Sequence, residues 1–190
     1  MGGGTGSFMV LSGLRDKGFD LSAIVTMSDN GGSSGLLRDE LGVLPPGDVR
    51  QCLVALSRAQ KPLRQLFTHR FSRGSLKGHS VGNLFLAGLE DMTGSFQQAV
   101  RTAALVLQIQ GKVIPVMLKK VTLVATLENG KRIYGETNID IPKHDGNLRI
   151  KKLSLRPRVL ANEEAIQSIK EADYIILGQA IYIPVLCPIF

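Results

Sequence analysis

Tryptophan is absent from these 190 residues, and aromatic side chains make up only 5% of them. Cysteine is scarce: Cys52 and Cys187 stand far apart with no C-x-x-C pair, which fits a reducing cytoplasm. The three histidines, His69, His79 and His144, lack the spacing of a metal triad, so the pattern excludes a zinc site. No apolar run is long enough to cross a bilayer. The N-terminus shows no basic segment leading into an apolar one, so no signal peptide is expected. The formal charge is +7, spread evenly along the chain. No nucleic-acid motif accompanies it, so the excess points to an anionic ligand such as a phosphate ester rather than to DNA or RNA.

Glycine is abundant: 21 residues, gathered in clusters that suit loops of close approach rather than linkers. Apolar residues make up 44%, enough to fill a core. The periodicity predicts a helix from Ser7 to Lys17, a strand over 22–27, and a short helix around "LLRDEL". Asp48, with Gln51 three residues on, reads as the N-cap of the next helix. Further helices are predicted at "KPLRQLFTHRF", from Ser80, and from Ser95 (with Gln98 in a capping-box position), and a buried strand at "KVIPV". Residues 117–157 change character. "VTLVATL" alternates, "ENGK" is an Asn-Gly hairpin turn, "RIYGE" pairs back, and the "DG" at 145–146 and "LRIKKLSL" suggest further antiparallel strands. A helix resumes at Asn162, and "DYIILG" reads as a buried strand. The whole predicts one α/β domain over 1–190, with a mainly parallel sheet, helices on both faces and an antiparallel β insertion at about 117–157.

Three loops carry candidate chemistry. "GGGTGS" precedes a helix, where free N–H groups and the helix dipole suit a phosphate, although neither the strict dinucleotide fingerprint nor the Walker pattern is met. "SDNGGSSG" repeats the arrangement after the first strand: Ser33 and Ser34 offer hydroxyls and Arg38 a charge one turn on. Asp29 there has three readings: a ribose acceptor, as in an NAD-type dinucleotide site, a metal ligand, or an Asx turn. "GGSSG" also fits the nucleophile-elbow pattern at Ser33, but Ser-Asp-Asn intervenes after the strand, which argues against a serine hydrolase. In "LKGHSVGN", Lys77 and His79 flank a helix start and Asn83 lies one turn inside.

Taken in order, "GGGTGS", "AIVTMSDNGGSSGLLRDELGVLPPGDVRQCLVALS", "HRF…LKGHSVGNLFLAGLEDMTGSF", "VIPV" and "DYIILG" resemble the gluconeogenesis-factor (YvcK-like) family. That family lies in a superfamily with the 2-phospho-L-lactate transferases (CofD-like) of deazaflavin cofactor synthesis. The resemblance covers about residues 2–178 and implies a Rossmann-like domain. It further implies a cytoplasmic protein that binds a UDP-sugar and is tied to cell shape and wall-precursor supply during gluconeogenic growth. A homo-oligomer fits the same picture. The transferase branch instead implies transfer of a lactyl-phosphate group from a guanosine diphosphate donor to a deazaflavin alcohol, with Mg2+. That branch carries a paired Asp-Asp where this chain has Asp29-Asn30, which removes a carboxylate from any magnesium site. By position, Gly3, Gly4, Thr5 and Gly6 match the first phosphate-type loop. Asp29, Asn30, Gly31, Gly32, Ser33 and Ser34 match the second, and Lys77, His79 and Asn83 the third, with Arg38 and Arg50 in matching segments. The family places a strand before "GGGTGS" and "GPGSLYTS" after the last strand, so truncation at both ends is expected.

Overall fold

The computed structural model describes residues 1–141 and 147–178. Its centre is a parallel pair, β1 (Ser22–Val25) and β2 (Lys112–Pro115), in register from Ser22 opposite Lys112 to Val25 opposite Pro115. Three of the four residues in each strand are buried, as expected for strands covered by helices on an α/β sheet. Helix α1 (Gly4–Leu14) precedes β1. Between the strands run α2 (Gly32–Leu41), α3 (Gly47–Leu56), α4 (Lys61–Thr68), α5 (Val81–Thr93) and α6 (Phe96–Val106). Helix α3 lies at the centre: it packs on α1, α4, α5, α6 and both strands. Almost all of its length is buried, with Val49, Leu53 and Leu56 wholly inaccessible.

The second sheet is antiparallel, in the order β4-β3-β5, with β3 at Thr122–Leu127, β4 at Arg132–Tyr134 and β5 at Ile150–Arg156. It realises the expected β insertion. One apolar cluster runs through both sheets, joining Ile24 and Ile114 to Leu123, Ala125 and Leu155. The hairpin differs from a two-residue Asn-Gly turn. Leu127 N–H donates to Lys131 C=O at 2.8 Å, leaving three loop residues, and Gly130 sits at φ +84 to close them. A short helix, α7 (Glu136–Asp140), replaces the second half of the expected "RIYGE" strand. The "DG" at 145–146 lies outside the described residues.

Several boundaries shift for physical reasons. Helix α1 begins at Gly4 rather than Ser7, so the last four residues of "GGGTGS" form its first turn. Helix α2 begins at Gly32, which places Ser33 and Ser34 inside it. Helix α4 stops at Thr68 because Arg70 forms an antiparallel bridge with Ser80. The expected caps at Ser80 and Ser95 form, their side chains accepting from the N–H groups of Asn83 and Gln98, and Asn162 caps the last helix by accepting from Glu164 N–H. Asn162 precedes α8 (Glu163–Lys170) and also donates from Nδ2 to Pro115 C=O at 3.0 Å, which fastens α8 to the end of β2.

"DYIILG" is not a buried strand. Tyr174 is 89% exposed, and Ile175, Ile176 and Leu177 are exposed with it. Its backbone is bonded to Met1: the Met1 amine donates to Ile176 C=O, and Gly178 N–H donates to Met1 C=O at 2.8 Å. Gly2 in turn bridges to β1, donating to Ile24 C=O at 3.0 Å and accepting from Thr26 N–H at 3.3 Å. A cavity of about 770 Å3 lies beside it, walled by Val10, Leu14, Phe19, Ala23, Ile169 and Ile175.

Leu53→Ala tests the central place of α3. Emptying a fully inaccessible leucine site should destabilise the fold by about 2–5 kcal/mol, read by urea denaturation.

Candidate functional site

The first loop is held from below by a residue that local sequence assigns elsewhere. Helix α3 starts at Gly47 with Pro46 as its N-cap, and no side chain caps it. Asp48 therefore does not cap its own helix. Its Oδ1 accepts from Gly4 N–H at 2.9 Å, the first N–H of α1, and its Oδ2 accepts from the Thr26 hydroxyl at 3.4 Å. It caps α1 from 44 residues away. Gly3 makes this contact possible, because a Cβ there would run into the Asp48 carboxylate and lie 2.8 Å from Thr26 Oγ1. Thr5 and Gly6, in the same first turn, keep N–H groups that no intrahelical carbonyl reaches.

Burial and, second, the neighbouring Asp29 carboxylate push the pKa of Asp48 up to about 6, against the pull of Gly4 N–H and the Thr26 hydroxyl. Asp29 itself makes the Asx turn, with Oδ1 accepting from Gly31 N–H at 2.8 Å. The Asn30 side-chain oxygen accepts from both the N–H and the hydroxyl of Thr137, each at 3.0 Å. Glu136 Oε2 accepts from the Ser28 hydroxyl at 2.9 Å. Burial raises the pKa of Glu136, and Asp29, Asp48 and Asp140 add to the rise against the Ser28 bond. Helix α7 of the β insertion thus lies against the second loop. Asp48, Glu136 and Thr137 were missed in the sequence because their partners are distant in the chain.

The second and third loops are joined by one buried chain of hydrogen bonds. Arg50 Nε donates to Asn83 Oδ1 at 2.9 Å, Asn83 Nδ2 donates to Ser33 Oγ at 3.1 Å, and Ser33 Oγ lies 3.0 Å from His79 Nδ1. An arginine can only donate. That orients the Asn83 amide with its oxygen toward Arg50 and its nitrogen toward Ser33. With that lone pair taken, the Ser33 hydroxyl has one acceptor for its proton among the described residues, His79 Nδ1. A hydroxyl oxygen has two lone pairs, so the Ser33–His79 bond runs from the hydroxyl when the imidazole carries its proton on Nε2 and from Nδ1 in the other tautomer. His79 is 7% exposed and Asn83 2%, so each member is short of water and depends on the others. No carboxylate orients His79 among the described residues, and Ser33 lies within α2 rather than on a strand-end turn, so a serine-hydrolase triad is not assembled.

The remaining candidates fall outside this chain. Ser34 Oγ accepts from Gly47 N–H at 3.1 Å and so ties α2 to α3. Arg38 is bonded to Asp39, with Nη2 2.9 Å from its carboxylate. Lys77 is exposed, and its ammonium forms no hydrogen bond or ion pair with the described residues. Cys52 is buried, and burial pushes its thiol up to about 12, which leaves it inert. Among the described residues no three His, Cys, Asp or Glu side chains are grouped to hold a metal ion. No helix there is long and apolar enough to cross a membrane.

A parallel α/β core with glycine-rich helix entries beside the same strand end defines a Rossmann-like class of fold. The chain belongs to the 2-phospho-L-lactate transferase CofD family, whose pattern it matches over residues 1–188. It is 46% identical over 179 residues to the gluconeogenesis factor of Bacillus subtilis, covering 93% of this chain and 55% of that one. To the gluconeogenesis factor of Listeria monocytogenes it is 41% identical over 180 residues, covering 94% and 56%. It superposes with a TM-score of 0.88 and 42% identity on the crystal structure of a UPF0052 family member from Bacillus halodurans, covering 94% of this chain and 56% of that one. The chain thus spans about half the length of these relatives.

Two measurements check this geometry. Asp48 has a folded-state pKa above its ordinary value of 3.8, so the native state holds the proton more tightly than the unfolded chain. Stability from this group is full below pH 4 and is lost as pH rises through about 6, by roughly 2–3 kcal/mol. Asp48→Asn keeps an acceptor for Gly4 N–H, and urea titrations should show its stability flatter than wild type over that window. For His79, long-range 1H–15N spectra should show a single tautomer in the wild type. Asn83→Leu should broaden or reverse that signature.

Proposed function

We propose that this protein binds a nucleotide sugar, a UDP-sugar, in the cytoplasm, and that through this ligand it links cell shape and wall-precursor supply to gluconeogenic growth. Residues 1–190 act in this reading as one domain with a β-rich insertion at about 117–157, in line with the apolar cluster that both sheets share. The observation that carries the reading is the buried chain from Arg50 through Asn83 and Ser33 to His79. It locks two phosphate-type loops into one rigid unit and fixes the His79 ring beside the donors of Asn83 and Arg50. Pre-organised donors of this kind suit a ligand rich in oxygen acceptors. The first loop adds the N–H groups of Thr5 and Gly6 at the positive end of α1. The names of the Bacillus subtilis and Listeria monocytogenes relatives support the gluconeogenic setting.

Calorimetry with UDP-N-acetylglucosamine and UDP-glucose tests the reading. Saturable binding is expected in the wild type. His79→Ala should weaken it about tenfold, near 1.4 kcal/mol. Absence of heat with either sugar nucleotide sinks the assignment.

A second reading rests on Asp29 and Asp48. The Asp29 carboxylate lies 3.1 Å from where a Gly47 Cβ would stand, and its charge raises the cost of ionising Asp48. Such a pair is the start of a site for magnesium and hence for a 2-phospho-L-lactate transferase. The fit is incomplete. Three of the four carboxylate roles are spent on Gly31, Gly4 and Thr26, and no third ligand joins the pair. No step is therefore derived through the metal. Incubation with the guanosine diphosphate donor, deazaflavin alcohol and Mg2+ decides: release of guanosine monophosphate would displace the binding-protein reading.

A further inference from the structure

Positive charge collects at the start of α5 without a carboxylate to balance it. Arg50 is only 9% exposed. Its Nε is spent on Asn83, and its two terminal nitrogens have no partner among the described residues. Neither is a buried orphan, so both touch solvent. Its aliphatic stem lies flat on the first turn of α5: a Cβ on Gly82 would stand 2.8 Å from Arg50 Cδ and 2.9 Å from Cγ. Glycine at 82 is what lets a guanidinium approach a helix N-terminus this closely.

That N-terminus is itself positive. Val81 N–H is taken by His69 C=O and Asn83 N–H by the Ser80 hydroxyl, while Gly82 N–H has no intrahelical acceptor. A second guanidinium, Arg70, stands near enough to depress the pKa of Arg50, second only to burial, and is positioned by donating to Gly78 C=O. The ion pairs among the described residues are Arg15 and Arg58 with Asp16, Arg38 with Asp39, and Arg101 with Glu164; neither Arg50 nor Arg70 takes part. Asp48 is the acid whose field reaches Arg50, but its oxygens face Gly4 and Thr26. Two guanidiniums and a helix N-terminus repel each other, and burial of Arg50 sharpens the cost. An anion between them turns each repulsion into attraction.

We infer that Arg50, Arg70 and the first turn of α5 form a phosphate subsite, with the terminal nitrogens of Arg50 as its fork. Planar, paired donors match the tetrahedral oxygens of a phosphoryl group better than a point charge does. The inference deepens the nucleotide-sugar reading and rests on it for the identity of the anion as a diphosphate. The subsite explains why Arg50 is buried at all: its Nε orders the Asn83–Ser33–His79 chain while its outer edge faces the ligand.

Calorimetry at low salt with inorganic pyrophosphate, UDP and uridine separates the parts. Pyrophosphate and UDP should bind the wild type, and weaken with added salt. Arg50→Gln should lower both affinities tenfold or more, and Arg70→Gln several-fold. Arg50→Lys should recover less than half of the loss, because lysine lacks the Nε that holds Asn83. Uridine, having no phosphate, should bind the Arg70→Gln variant as it binds the wild type. Arg70 is exposed, so its variant remains informative if Arg50→Gln proves unfolded by its melting curve. Unchanged pyrophosphate affinity in Arg70→Gln, or no binding of any phosphate by the wild type, overturns the subsite. Pyrophosphate binding without UDP-sugar binding keeps the subsite and removes the nucleotide-sugar reading.

Discussion

The site depends on one hydrogen bond, from Arg50 Nε to Asn83 Oδ1 at 2.9 Å in the interior. Arginine has no acceptor, so the bond admits one orientation of the Asn83 amide. The amide nitrogen then meets Ser33, whose hydroxyl is bonded to His79 Nδ1. A carboxamide that could flip would leave two buried polar atoms mismatched, at about 1–3 kcal/mol each. The guanidinium prevents this, and it joins α3 to α5 and α2 in doing so. Function and packing share the same atoms here.

The acidic side of the molecule has the opposite character. Asp48 supports the first turn of α1 at the cost of burial beside Asp29, which is why its carboxyl titrates near 6. Glu136 comes in from the β insertion and bears the same strain. The first two loops therefore meet over a cluster of carboxylates, and the third meets them over cations. A ligand with phosphate at one end and hydroxyls at the other matches that division of charge.

Much of the architecture is legible from local pattern. Apolar runs bounded by glycine mark β1 and β2, and the caps at Ser80, Ser95 and Asn162 form because a side chain two or three residues from its N–H needs no help from the rest of the fold. The failures share a cause. Asp48 has the spacing of a local cap, but Pro46 starts α3 first and α1 supplies the better donor. "DYIILG" has the hydrophobicity of a buried strand, yet Tyr174 to Leu177 stand exposed. Helix α7 carries no strong periodic signal, and its place is set by Asn30 and Ser28.

The glycine clusters show the same division. Composition alone marks "GGGTGS" and "SDNGGSSG" as places where backbone meets something closely, and the family resemblance adds Ser33, His79 and Asn83 as candidates. What approaches Gly3 and Gly82, however, is the protein itself: the Asp48 carboxylate and the Arg50 stem. The sequence determined which segments are helix, strand and loop, because those preferences act over a few residues. Tertiary structure decided which polar groups face each other, because Arg50, Asn83, Ser33, His79 and Asp48 come from separate elements. A buried hydrogen bond exists only once packing has excluded water around both partners.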